Sequence, residues 1–443
     1  MSFRLMPFGI LAAVLLTALP AFAQVLPQGR RPYAGLFGGS AQDARHAQGL
    51  NFTASLGGGY DNDRSPDPSG SGVGSSASAL RDGSYGIGAA SLSYGISGDG
   101  LSGSLYGGGR ARYYPNVSSP LVGTSTLGGD LSAAIGTRVT LDTSHSVGLY
   151  VRGADFYGLY GDINGPGVPG GDETLGALTT VGRYTSLRSN VGIRAKLTQR
   201  VGMYAAYNYY TNNLMATSTG RYNASGVNGG VTYAMFKSVS LRAGYTRTRA
   251  TTGTVAGQAA YGQNSFDGGV DFNKALSLTR HSTLVFATGL SGVADQQGTV
   301  RYLFIGNATL SYELGRSWTL QGYIGRSTDF FAAFAQPTVM DRANVSVNGL
   351  LSRRVQVSVS AALIKSESLA PIVVSGYTAG HSGVSVKYAL NRDLALTADY
   401  SYYRYQFDNS ALLPPGVLTR INRQSVRVSF DVWAPLLTQS RRQ

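Results

Sequence analysis

Eleven basic residues sit at alternate positions within runs that read as β-strands: Arg110, Arg112, Arg138, Arg152, Arg188, Arg194, Lys196, Arg242, Lys387, Arg423 and Arg427. Each shares its parity with polar neighbours. Side chains two apart on a strand lie on one face, so these cations gather on the surface that the polar residues line. The acids expected on that surface are fewer: Asp130, Asp271, Glu313, Asp399 and Asp431. Such an excess of cations on a confined surface concentrates anions and holds them through many weak, exchangeable contacts. For any single arginine an equal case exists that it pairs with a carboxylate and only holds the wall in shape.

Residue types for bond-making chemistry are scarce. With no cysteine there is no thiolate, and the histidines are four: His46, His145, His281 and His381. His145 and His281 stand in matching contexts, Thr143-Ser144-His145-Ser146 and Thr279-Arg280-His281-Ser282, both read as tight polar turns. No histidine is placed beside a serine and an acid as acyl transfer requires. No group has metal-ligand spacing. The reading is a protein that is not an enzyme and needs no cofactor. A net charge of +14 would suit nucleic acid, but export and the burial of the cations inside a wall argue against that partner.

The elements that position the cations follow from the turns. Six times a short polar turn with a basic residue separates two alternating runs, at Arg200, Lys237, Arg280, Arg316, Arg353 and Arg392. The recurrence, about every 40 residues, fits two transmembrane strands, one tight turn and one longer loop. Further short turns are expected at Gly98-Asp99-Gly100 and around Thr143–His145. Between residues 49 and 433 the alternation gives eighteen antiparallel strands, with both chain ends on the short-turn side, which is periplasmic in bacterial barrels. Parity sets the faces: Val426, Val428, Phe430 and Val432 oppose Arg423, Ser425, Arg427, Ser429 and Asp431. Hydrocarbon cannot solvate the polar set, so that set lines a wet lumen. Tyr113-Tyr114, Tyr207, Tyr209-Tyr210, Tyr400, Tyr402, Tyr403 and Tyr405 fall near loop-side strand ends and read mainly as an interfacial girdle. Longer loops are expected at 61–83, 159–179, 250–263 and 408–420.

Composition agrees. Of 443 residues 60 are Gly and 28 Tyr, and only 14% are charged, below the quarter or so usual in soluble domains. Arg4, the apolar stretch Ile10–Leu19 and Ala21-Phe22-Ala23 make residues 1–23 a cleavable signal peptide. Residues 24–48 lack alternation and read as a periplasmic segment, and 434–443 as a periplasmic tail. The expected fold is all-β: an eighteen-stranded antiparallel transmembrane β-barrel of the outer membrane of a Gram-negative cell.

The hairpin NRDLALTADYSYYRYQ (391–406) and the ending SVRVSFDVWAPLL (425–437), behind a signal peptide, resemble outer-membrane barrels of the β-barrel porin 2 type encoded in exopolysaccharide loci. The resemblance spans 49–437. It implies export of an anionic exopolysaccharide through the lumen, in company with a periplasmic polysaccharide-export protein. Outer-membrane lipid, lipopolysaccharide and the barrel-assembly machinery are further expected partners; one departure from the usual pattern is that the last aromatic residue, Trp433, stands ten residues before Gln443 rather than at the end. The residues themselves leave open an anion-preferring diffusion porin, and a structural or adhesion barrel with a closed lumen.

Overall fold

The computed structural model describes residues 46–63, 83–115, 121–151, 183–214, 221–254, 257–272, 276–279, 281–294, 300–315, 317–331, 336–369, 376–408 and 420–440. Among them nineteen β segments form: β1 (His46–Asp63), β2 (Gly83–Ser97), β3 (Leu101–Tyr113), β4 (Leu121–Ile135), β5 (Val139–Val151), β6 (Arg183–Lys196), β7 (Val201–Leu214), β8 (Arg221–Ala234), β9 (Val239–Thr254), β10 (Gly257–Phe272), β11 (Leu276–Thr279), β12 (Ser282–Ala294), β13 (Val300–Leu314), β14 (Trp318–Phe331), β15 (Gln336–Leu350), β16 (Val355–Ser368), β17 (Tyr377–Ala389), β18 (Leu394–Phe407) and β19 (Arg420–Ser440). Each pairs antiparallel with its chain neighbours, and β1 pairs back onto β19. Asp271 of β10 faces Ala287 of β12, and Leu276 of β11 faces Leu284 of the same β12. Thus β10 and β11 continue one strand, and the wall is an eighteen-stranded closed antiparallel barrel.

The barrel is inside-out relative to a soluble protein. On β19, Val426, Val428, Phe430 and Val432 are exposed, whereas Arg423, Ser425 and Ser429 are buried. On β13, Tyr302 and Phe304 are 78% and 77% exposed. Large apolar side chains pointing away from a closed wall are stable only against hydrocarbon. Closure also leaves no backbone edge unpaired, which the bilayer demands. The chain is therefore a transmembrane barrel of the outer membrane.

The short connections between described strands all lie at one end: β2 to β3, β4 to β5, β6 to β7, β8 to β9, β11 to β12, β13 to β14, β15 to β16 and β17 to β18. Both described chain ends lie there too, since His46 faces Ser440. One turn differs from expectation. The chain turns at Gly136-Thr137-Arg138, not around Thr143–His145, because Gly136 supplies φ +67, a conformation that costs glycine little. Gly315 makes the equivalent turn before Trp318 at φ +68. His145 consequently lies within β5, opposite Gly129 and Ser189. His281 does occupy a turn.

The C-terminal boundary also moves. β19 runs past Trp433 to Ser440 and pairs with the start of β1, so 434–440 belong to the wall rather than to a tail. A register shift at Leu436, between Leu50↔Leu437 and Asn51↔Pro435, lets the strand absorb Pro435, which cannot donate to the ladder. β9 and β10 pair as far as Thr254 and Gly257, so most of the expected 250–263 loop is hairpin. The expected signal peptide, residues 24–45, and the 159–179 loop lie outside the described residues.

Candidate functional site

The inner wall carries the chemistry. At its loop-side rim Asp61 is fully buried near the end of β1, between Ser425 of β19 and Gly83 of β2. Its carboxylate accepts a hydrogen bond from Ser425 Oγ, another from the Tyr114 hydroxyl at 2.6 Å, and one from Arg112 Nη1 at 3.4 Å. Arg112 lies over the Tyr85 ring at 5.0 Å, and Tyr85 and Ser425 join hydroxyls at 3.1 Å. Burial pushes the Tyr114 phenol up to about 12, so it remains a donor. The network spans β19, β1, β2 and the end of β3. Asp61 escaped the sequence reading because Asp61-Asn62-Asp63 looks like the start of a loop.

Lower in the lumen, diagonal cross-strand pairs recur. Arg194 Nε donates to Asp142 at 2.6 Å, and Ser132 donates to the same carboxylate at 2.7 Å. Arg242 stands opposite Gly269, with Asp267 and Asp271 two residues to either side. It reaches them at 3.1 and 3.0 Å. Arg427 and Asp399 are direct partners on β19 and β18, with Nε to Oδ2 at 2.8 Å. Asp431 accepts from Thr397 and, at 3.1 Å, from Ser429. Asp130 accepts from Ser104 at 3.2 Å. Asp142 and Asp267, like Asp61, were absent from the expected set of lumen acids. The misplaced turn had hidden Asp142.

The structure places nine of the eleven expected cations on the inner face by strand parity: Arg110, Arg112, Arg188, Arg194, Lys196, Arg242, Lys387, Arg423 and Arg427. Arg138 is corrected: it sits exposed in the turn between β4 and β5, where its side chain has no strand face. Arg152 lies outside the described residues. Arg301 and Arg342, not anticipated, also point inward by parity with Leu303 and the buried Met340. Among the strand residues whose side chains are described, these eleven inner cations face eight inner acids: Asp61, Asp130, Asp142, Asp267, Asp271, Glu313, Asp399 and Asp431. The surplus of three is smaller than the sequence implied.

The tyrosines divide between the two faces. Tyr113, Tyr207 and Tyr400 are exposed on the outer face, as a girdle requires. Tyr114, Tyr403 and Tyr405 are buried on the inside. Tyr405 packs with Tyr377 at 5.2 Å and edge-on to Phe407 at 4.9 Å, which stiffens the rim at β17 and β18. Tyr210 also turns inward and carries the Arg188 guanidinium at 5.6 Å from its ring centre.

No family model and no curated protein matches the sequence. Solved structures align loosely. The siderophore receptor PirA from Pseudomonas aeruginosa aligns at TM-score 0.41 and 10% identity, covering 87% of this chain and 80% of the receptor. OpdL, also from Pseudomonas aeruginosa, aligns at TM-score 0.40 and 11% identity over 88% and 99% of the two chains. The ferric-catecholate import receptor Fiu from Escherichia coli gives TM-score 0.40 and 10% identity over 87% and 81%. Likenesses this distant carry no argument about function; the fold rests on the chain's own strand pairing.

Proposed function

We propose that the barrel passes anionic material across the outer membrane, and that its cargo is an anionic exopolysaccharide handed over by a periplasmic polysaccharide-export partner. One observation carries the reading. Among the described inner side chains, seven of the eight carboxylates are held by arginines or hydroxyls of the wall, and cations still exceed acids. Engaged carboxylates repel an anionic polymer less. The surplus cations, in a lumen bounded by low-dielectric wall, then set the sign of the field. Arg188 on Tyr210 illustrates the kind of contact required: a guanidinium braced by a ring, exposed to the interior. Weak contacts repeated along a wall recruit a polymer without trapping it.

The test is a deletion strain complemented with wild type or with Arg110, Arg188 and Lys387 all changed to serine. Export predicts loss of surface polysaccharide on deletion and only partial recovery with the triple variant. Full polysaccharide in the deletion strain overturns the export reading. Anion-selective conductance of the purified protein in planar bilayers would then favour a diffusion porin. Absence of conductance would favour a structural barrel.

A further inference from the structure

At mid-height the lipid-facing wall holds an ionisable residue. His145 is the midpoint of β5 (Val139–Val151), and its parity is that of the outward Val147 and Leu149, opposite to the inward Asp142. From Val139 it stands about 20 Å along the strand at about 3.4 Å per residue. At a tilt of about 40° that is about 16 Å of height, inside an apolar band about 25 Å tall. The charged outward residues Arg326, Lys365, Arg404 and Arg420 lie instead in the loop-side halves of β14, β16, β18 and β19. Ser189 of β6 stands directly opposite His145, and Thr143 precedes it on the same face of β5. Both are recessed, at 7% and 6% exposure, and neither hydroxyl oxygen has a hydrogen-bond partner among the described residues. Apolar side chains surround the three: Leu127 and Leu131 on β4, Leu141 and Val147 on β5, Leu187 and Val191 on β6.

Acyl chains offer these groups neither donor nor acceptor, so polar side chains at this depth need a protein partner. We propose that the outward face of β4 to β6 is the contact of a two-fold dimer, in which a second copy of the chain covers His145, Thr143 and Ser189. Complementarity selects the copy. A neutral imidazole has one donor and one acceptor nitrogen, and each hydroxyl both donates and accepts. His145 of one protomer therefore pairs with the partner's Ser189, and the reverse pair forms about the same axis. The surface also admits close approach. Leu105, Leu127 and Leu131 each lie across a directly opposite glycine, Gly129, Gly107 and Gly103, which flattens β3 and β4 beside the polar residues. The far side of the barrel presents Val345, Val359, Val386 and Val428, exposed and aliphatic, as lipid requires. A single self-complementary patch closes a dimer, whereas a ring needs two different surfaces.

The chain contains no cysteine, so single cysteines report contact without background. Full-length Val147→Cys and Val428→Cys proteins, both changed at outward, exposed positions, are treated in intact outer membranes with a short bis-maleimide. The expected result is a cross-linked dimer from Val147→Cys and none from Val428→Cys. Adding His145→Leu to Val147→Cys should lower the dimer yield about tenfold, the loss expected from two hydrogen bonds within a membrane. His145→Gln, which keeps a donor and an acceptor, should retain most of the yield. The heat-modifiable form on gels checks each variant for folding. His145→Leu should preserve that form, since leucine suits a lipid-facing position. Equal cross-linking at the two positions overturns the proposal, and so does a His145→Leu yield equal to that of its parent. A product containing a different protein, identified by mass spectrometry, also overturns it. Should His145→Leu fail to fold, Ser189→Val must lower the yield in its place. Cargo and conductance play no part, so failure here is separate from failure of the channel reading.

Discussion

Asp61 concentrates the consequences of burial in one carboxylate. Removing one partner of a buried, hydrogen-bonded ion pair leaves the other charged and unsolvated, at a cost of about 3–5 kcal/mol. Asp61→Ala is therefore expected to lower the unfolding midpoint of the detergent-solubilised barrel sharply, measured by heat-dependent mobility on gels. Asp61→Leu combined with Arg112→Met removes both charges, and should recover most of the loss. A double variant no better than the single one would show that Tyr114 and Ser425, not the ion pair, carry the network. Gly349 makes a second residue-scale case. A Cβ there would lie 2.0 Å from the Trp318 ring of the neighbouring strand. Gly349→Ala must displace the indole, with an expected cost of about 1–3 kcal/mol and a shift in tryptophan emission. An unchanged spectrum and stability would contradict the packing.

Strands and turns were readable where parity was clean. Runs such as Val355-Gln356-Val357-Ser358-Val359-Ser360 state both the element and its faces, and the count of eighteen follows from them. Parity fails where both faces become polar. In Thr143-Ser144-His145-Ser146 the outer positions carry Thr143 and His145, so a strand centre imitated a turn. The real turn still had a signal in Gly136-Thr137-Arg138, which repeats the glycine–basic pattern of Gly315-Arg316-Ser317. At the C-terminus only the partner strand reveals the bulge that accommodates Pro435 and carries the last strand past Trp433. The lumen cations were legible for the same reason as the strands. Their partners were not, because a diagonal pair such as Arg194 with Asp142 depends on register between strands. A prediction belongs to this scale. Truncation after Trp433 removes the pairing of residues 434–440 with the start of β1, and should abolish the compact, heat-modifiable form. Truncation after Ser440 should not. Compact barrel from the shorter chain would show that this last stretch of pairing is dispensable.

For the molecule as a whole, the inner surplus of cations predicts a measurable bias. In planar bilayers under a salt gradient the reversal potential should indicate anion preference. That preference should weaken as salt rises, because the Debye length falls from about 10 Å at 0.1 M to about 3 Å at 1 M. Replacing Arg110, Arg188 and Lys387 with serine should move the reversal potential toward neutrality. A wild-type channel that prefers cations would remove the basis for an anionic cargo.

The seam between β1 and β19 sets the timing of everything above. The hydrogen bond from Ser425 to Asp61 joins residues 364 apart in the chain, and no ring exists until the final strand arrives. A chain arrested at any earlier point is a curved ribbon with two raw edges, which is a substrate for chaperones and proteases. Because the wall closes first strand to last, the cell is spared a half-built hole: the permeability barrier is breached only by a finished molecule.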